Sequence, residues 1–216
     1  MNMRSQVIVL GMHRSGTSLI ASILHLSGIS MGKEFLRPDN GNPGGYFEDL
    51  EFLNLNKTIL TQAEGTWRKP PSKERISISG SKNKKYIKEL VFKRMQNNQK
   101  WGWKDPRTSL TGELFLEFLP DIKLIHVIRD ENAIINSLAK LHGGQEEEWK
   151  NLNILYLQRI EEFKDKISPQ FVHVVTYENL LNNKLAPIEV EKLVTFAHSR
   201  PRTKVDAWLR LINPNK

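Results

Sequence analysis

Apolar residues along this 216-residue chain fall into short blocks of two kinds. Residues 7–10, 100–103, 123–128 and 171–176 are brief apolar runs, partly β-branched, which is the pattern of strands buried on both faces. Between and after them, apolar positions recur at intervals of three and four. Leu19, Ile20, Ile23 and Leu24 predict a helix over 17–26, and Leu50, Leu53 and Ile59 predict one over 48–60. Trp149, Leu152, Leu155, Tyr156, Ile160 and Phe163 predict a longer one over 146–167, with shorter helices over 114–119, 132–141 and 190–197. Strands alternating with helices predict an α/β fold with a mostly parallel central sheet flanked by helices. In such a sheet ligands bind beyond the carboxyl ends of the strands, so functional residues are expected just after each apolar run.

Two stretches break both periods. Residues 35–46 hold Pro38, Pro43 and several Gly and Asn, and residues 65–83 are rich in Pro, Ser and Lys. Both are expected to be surface loops. There is no internal repeat, and the length suits a single domain over 1–216.

Composition narrows the class. Hydrophobic residues make up 39%, enough for a core. No run approaches the roughly eighteen apolar residues of a membrane span, so no span is expected and the expected location is cytoplasmic. The chain has no cysteine, which excludes disulfide frameworks, thiolate metal sites and cysteine nucleophiles. Its formal net charge is +8, and residues 82–100 hold seven bases against one acid, Glu89. That segment reads as a solvated helix face or as an attraction for an anionic polymer.

The strongest local signal is Gly11-Met12-His13-Arg14-Ser15-Gly16-Thr17-Ser18, directly after the first strand and at the start of a helix. A strand, a glycine-containing turn and a helix start aim several backbone N–H groups at one point, where an anion is favoured. Arg14 adds a fixed cation, and Ser15, Thr17 and Ser18 add hydroxyl donors. The spacing resembles a nucleotide-triphosphate P-loop, but Thr17 stands where that loop has its lysine and the cation lies at Arg14. A second anion site is legible at Arg129, at the end of the third strand, with Ser137 eight residues on. Arginine there suits a bidentate grip on phosphate, and Ser137 falls two turns into the next helix.

Arg-Ser-Gly-Thr-Ser at 14–18, together with Arg129 and Ser137, resembles the sulfotransferase family: the first the 5′-phosphosulfate loop, the second the 3′-phosphate motif. The resemblance implies a P-loop NTPase-like sulfotransferase fold. It implies transfer of a sulfuryl group from 3′-phosphoadenosine 5′-phosphosulfate, leaving 3′-phosphoadenosine 5′-phosphate, to a hydroxyl or amine of a small-molecule or glycan acceptor. Lys104-Asp105-Pro106 after the second strand is similar to the family segment that brings a lysine to the reacting centre, with Asp105 orienting a cation and Arg107 beyond it. Asn42-Pro43-Gly44-Gly45-Tyr46-Phe47-Glu48 looks like a bacterial sulfotransferase segment, and makes Glu48 the expected general base. His13, inside the donor loop, competes for that role, and Asp49 takes a smaller share. Tyr177 resembles a residue near the donor's adenosine, and Arg200, Arg202 and Lys204 stand where many relatives carry a basic loop over the 3′-phosphate. Trp67, Trp101 and Trp103 are candidates for the acceptor pocket or for the core.

No metal and no nucleic acid are expected. The six histidines lack metal-ligand spacing and read as satisfied core or surface residues. Two other readings stand beside this one: a nucleotide kinase or NTPase with a degenerate P-loop, and a non-enzymatic polyanion-binding module built on residues 82–100.

Overall fold

The computed structural model describes residues 6–96, 100–119 and 122–198. Strand β1 (Gln6–Leu10) is followed by helices α1 (Thr17–Leu26), α2 (Leu50–Gln62) and α3 (Lys73–Met95). Strand β2 (Gly102–Lys104) leads into the short helix α4 (Thr108–Thr111) and a 3-10 segment, Gly112–Phe118. Strand β3 (Ile122–Ile128) precedes α5 (Glu131–His142) and α6 (Glu146–Lys164), and strand β4 (Val172–Thr176) precedes α7 (Tyr177–Leu181) and α8 (Ala186–His198). The four strands form one sheet in the order β2-β1-β3-β4, with every neighbouring pair parallel.

Alternation along the strands divides the core. Ile8, Leu10 and Leu124 face Phe52, Ile59, Ile87, Val91, Tyr156 and Ile160, from α2, α3 and α6. Val7, Val9, Ile125, Val127 and Val175 face α1 and α8 through Ile20, Ile23, Val190 and Leu193. Helices on both faces explain why the strands read as continuous apolar runs. The backbone at Gly102 lies against Val7, where a side-chain carbon would fall 2.1 Å from the Val7 carbonyl oxygen. Glycine is therefore required between Trp101 and Trp103. Both tryptophans are buried, and Trp103 stacks on Phe52 with ring centroids 4.3 Å apart. They belong to the core and leave the acceptor pocket to other residues.

The loop expected over 65–83 is corrected by α3, which begins at Lys73. Ser72 caps it by accepting from the Arg75 N–H at 3.3 Å, and Glu74 complements the first turn. Its buried face is Ile76, Ser79, Gly80, Ile87, Leu90, Val91 and Arg94, a helical spacing in which three of the positions are small or charged. Gly80 lets Leu114 approach to where a side-chain carbon would lie 2.4 Å away. A stripe built partly from Ser and Gly carries no hydrophobic signal, and Pro70-Pro71 beside it reads as a loop. The helix expected over 114–119 is the 3-10 segment.

The same helix carries most of the basic segment, and its cations are largely paired. Lys84 meets Glu117 at 2.8 Å, Lys93 meets Glu51 at 2.7 Å, and the buried Arg94 meets Asp49 and Glu51, each at 2.7 Å. Lys82, Lys85 and Lys88 stay exposed on its outer side, as a solvated helix face requires.

His126, on β3, is 2% exposed, and both its ring nitrogens lack a hydrogen-bond partner. Burial pushes its pKa down to about 4, helped by Lys164 and opposed by Glu161, whose carboxylate stands 3.7 Å from Nδ1. The imidazole is therefore neutral at pH 7, and this contact is no ion pair there. In the unfolded chain the ring takes a proton below about pH 6.5. Between that pH and about 4 the unfolded state binds more protons, so stability falls as the solution is acidified. Denaturant unfolding at about pH 7 and about pH 4.5 is expected to show His126→Leu losing about 2–3 kcal/mol less than the parent chain. Equal losses in the two chains would remove His126 from the acid limb.

Candidate active site

All four strands end on one side of the sheet, and the segments that follow β1, β2, β3 and β4 meet there. His13, Arg14, Gly16, Thr17, Ser18, Glu48, Lys104, Arg129 and Tyr177 line one cleft of about 200 Å3, together with Asn42 and Tyr46. These residues come from five separate stretches of sequence. The parallel register, with Val9 opposite Lys104 and Ile125, brings the strand ends level.

The loop after β1 is held in an unusual conformation. Arg14 has a left-handed backbone (φ 71°), as does Gly16 (φ 95°). At Gly16 a side-chain carbon would fall 2.1 Å from the Tyr177 ring, so glycine is needed for β4's end to close on the loop. Gly16 is the N-cap of α1 and no side chain caps that helix, which leaves the amides of its first turn facing the cleft without a side-chain acceptor. Ser15 Oγ is buried and has no partner.

Two arginines cross this loop. Arg14 donates through Nε to Ser137 Oγ at 2.9 Å and through Nη1 to the Gly41 carbonyl at 3.0 Å. Arg129 donates through Nη1 to the Arg14 carbonyl at 2.7 Å, and its guanidinium lies 4.6 Å from the Tyr177 ring centre. Its Nε is buried and unpartnered. Ser137 thus meets the donor-loop cation directly, and Tyr177 stacks on the arginine of the second anion site. Asp130 caps α5 by accepting from the Ala133 N–H at 2.8 Å, and donates its own N–H to Glu178 at 3.0 Å, which fixes the end of β3.

The third group is buried charge. Glu48 is 4% and Lys104 1% exposed; Glu48 Oε1 accepts from Lys104 Nζ at 2.8 Å, and Oε2 from Arg107 Nη1 at 3.3 Å. Arg107 also donates to Asp105 Oδ1 at 2.8 Å. Burial works against the Arg107 charge, yet Asp105 and Glu48 raise its pKa above the usual arginine value. Arg107 is thus a largely buried neighbour of the cleft, its side chain 11% exposed. Asp105 orients Arg107, not Lys104. Asp49 is the N-cap of α2, is gripped by the buried Arg94 and does not line the cleft.

His13 packs against Trp67, with ring centroids 4.2 Å apart, and edge-on to Tyr156. Burial, followed by the charges of Arg107 and Lys104, lowers its pKa well below 6.5, so it is neutral at pH 7. Its Nε2 is buried without a partner. His13 and His126 therefore depart from the expectation of satisfied histidines. Tyr46, across the cleft, donates to Asp39 at 2.7 Å; burial and that bond push its pKa up to about 12. Asn42 joins the flanking loop to the donor loop by donating to Ser18 Oγ at 3.2 Å.

Arg107 and Asn42 are the site residues that sequence reasoning left aside or assigned elsewhere. Arg200, Arg202 and Lys204 lie outside the described residues. Among the described residues, no group of three or more His, Asp and Glu side chains is placed to hold a metal ion, and no helix is long and apolar enough to cross a membrane.

The cleft suits an anionic ligand: the uncapped start of α1, Arg14 and Arg129, whose Nε is unpartnered, all line it. Comparisons agree with that chemistry. The profile described as "Sulfotransferase family" matches residues 6–198. No curated protein matches the chain significantly in sequence. Among solved structures, the sulfotransferase domain of the Synechococcus PCC 7002 olefin synthase aligns with a TM-score of 0.60 at 15% identity, over 100% of this chain and 78% of that one. The sulfotransferase domain of the curacin biosynthetic pathway gives 0.60 at 17%, over 100% and 79%. Sulfotransferase STF1 from Mycobacterium tuberculosis H37Rv gives 0.55 at 13%, over 99% and 72%.

Proposed function

The chain belongs to the sulfotransferase family, a family of transferases that use 3′-phosphoadenosine 5′-phosphosulfate, and from that premise we propose how its cleft divides the work of sulfuryl transfer. The donor supplies a sulfuryl group whose sulfur–oxygen bond to the 5′-phosphate breaks as an acceptor oxygen or nitrogen bonds to sulfur. The uncapped amides of α1, Ser15, Thr17 and Ser18 hold the 5′ end, and Arg14 neutralises it. Arg129 and Ser137 read the 3′-phosphate, with the Tyr177 ring packed against the Arg129 guanidinium. Lys104 stabilises the charge that grows on the departing oxygen, and Glu48 takes the acceptor's proton. The observation that carries this reading is that both arginines, Lys104 and Glu48 line one cleft at the carboxyl end of the sheet.

Charge explains why the 3′ site matters. A guanidinium that bonds a phosphate in the bound state and loses it costs about 2–5 kcal/mol, so ATP, which lacks that group, is disfavoured by a similar amount. Positioning and fixed positive charge supply the rate, as in phosphoryl transfer.

A second assignment of the base has its own support. His13 is neutral, and its Nε2 faces no protein partner, whereas both Glu48 oxygens are engaged by cations. The acceptor is an alcohol or amine of a small molecule or glycan. Incubation with donor labelled in sulfur and panels of sugars, phenols and peptides tests the whole reading: label is expected in one acceptor class. Magnesium-dependent consumption of ATP without sulfur transfer would return the chain to the NTPase reading.

A further inference from the structure

Lys104 and Glu48 neutralise each other at 2.8 Å in a site almost closed to water. The functional reading asks each of them to act on a different molecule. When the ammonium turns toward the donor, a buried carboxylate would be left without that partner, which is costly unless a second cation remains. Arg107 is that cation. Its side chain is 11% exposed, it meets Glu48 Oε2 at 3.3 Å, and it stands behind the carboxylate, outside the residues that line the cleft.

Arg107 is in turn fixed from the protein side. Asp105 Oδ1 accepts from both its side chain at 2.8 Å and its backbone N–H at 3.0 Å. Asp105 Oδ2 accepts from Asn56 Nδ2 at 2.8 Å, and Asn56 Oδ1 accepts from Thr111 Oγ1 at 2.7 Å. Asp105, Asn56 and Thr111 have no exposed surface. The other end of Glu48 is held as firmly, since its carbonyl accepts from Leu36 N–H at 2.8 Å and its neighbour Asp49 is locked by Arg94. The four charges Glu48, Asp105, Lys104 and Arg107 balance. Withdrawal of Lys104 from the group leaves Glu48 and Asp105 sharing Arg107 alone.

We propose that Arg107 is a positioning residue for Glu48, holding the carboxylate in place once Lys104 engages the donor, with Asp105 and Asn56 holding Arg107. The proposal rests on the reading of Lys104 and Glu48 given above. It makes donor binding the event that frees Glu48 Oε1 for an acceptor hydroxyl, because the two cations around the carboxylate differ in their access to the cleft.

Two readouts test it. In crystals of the unaltered chain soaked with 3′-phosphoadenosine 5′-phosphate, Glu48 is expected to stay on Arg107 while Lys104 turns to the ligand. A Glu48 that leaves Arg107, or a Lys104 that stays on Glu48, overturns the proposal. In solution, release of labelled sulfate from the donor to water serves as an acceptor-free assay. Arg107→Gln is expected to lower it about tenfold, with the loss in kcat and donor KM held within about twofold. Arg107→Lys, which keeps the charge, is expected to recover most of that loss. A loss shared by kcat and donor KM that Arg107→Lys does not rescue would mean that Arg107 only supports the fold. If Arg107→Gln does not fold, the soaked crystals and Arg107→Lys decide. Normal turnover in Glu48→Gln would remove the base assignment but leave the crystal readout standing, so the two ideas can fail separately.

Discussion

Glu48→Gln is expected to lower kcat by roughly 10²–10⁴, the range that a positioned general base contributes. Glutamine matches the carboxylate in shape but keeps one acceptor oxygen, so one of Lys104 and Arg107 retains its bond and the other meets an amide NH2. The charge balance also changes: Arg107 keeps Asp105, Lys104 loses its carboxylate partner, and the cleft becomes more positive by one unit. Affinity for 3′-phosphoadenosine 5′-phosphate is therefore expected to hold or improve while turnover collapses. That opposite movement separates a lost base from a damaged fold. Should Glu48→Gln turn over normally and His13→Gln fail, the proton goes to His13. With a pKa held well below 6.5 by burial and by Arg107 and Lys104, His13 would give a rate that stays flat down to mildly acid pH.

The second large effect falls on Lys104. Its ammonium is buried at the end of β2 and lines the cleft beside the donor loop. Methionine keeps an unbranched stem of similar length, so Lys104→Met removes charge with little loss of packing. The expected fall in kcat is about 10²–10³, the usual cost of removing one fixed donor from a developing negative charge. Donor affinity is expected to weaken too, because Glu48 and Asp105 are left with Arg107 alone. A kcat within about threefold of the parent would confine Lys104 to supporting Glu48.

What could be read without coordinates was what lies contiguous in the chain. The donor loop, with its glycines, cation and hydroxyls, sits within eight residues of the first strand's end. Arg129 ends a strand that its own apolar run announces. Parallel strands then bring such ends together, so separate motifs become one cleft. Pairings across distance were not legible. Nothing local at Glu48 indicates that Lys104 and Arg107, 56 and 59 residues away, will close on it. Nothing at Arg14 indicates that its guanidinium will reach Ser137, 123 residues on. Helix α3 hid for another reason, since Ser79, Gly80 and Arg94 occupy buried positions that hydropathy scores as surface. The basic segment was legible as a solvated helix face, but the ion pairs of Lys84, Lys93 and Arg94 with Glu117, Glu51 and Asp49 are a property of packing.

The claim on which the account turns is that Arg129 reads a phosphate absent from ordinary adenine nucleotides. Calorimetric titration of the parent chain and Arg129→Ala with 3′-phosphoadenosine 5′-phosphate and with ADP tests it. The parent is expected to bind the 3′-phosphorylated nucleotide more tightly, and Arg129→Ala to weaken that binding by about thirtyfold or more, with ADP held within about threefold. Equal affinity of the parent for both nucleotides, or equal losses for both in the variant, would contradict it.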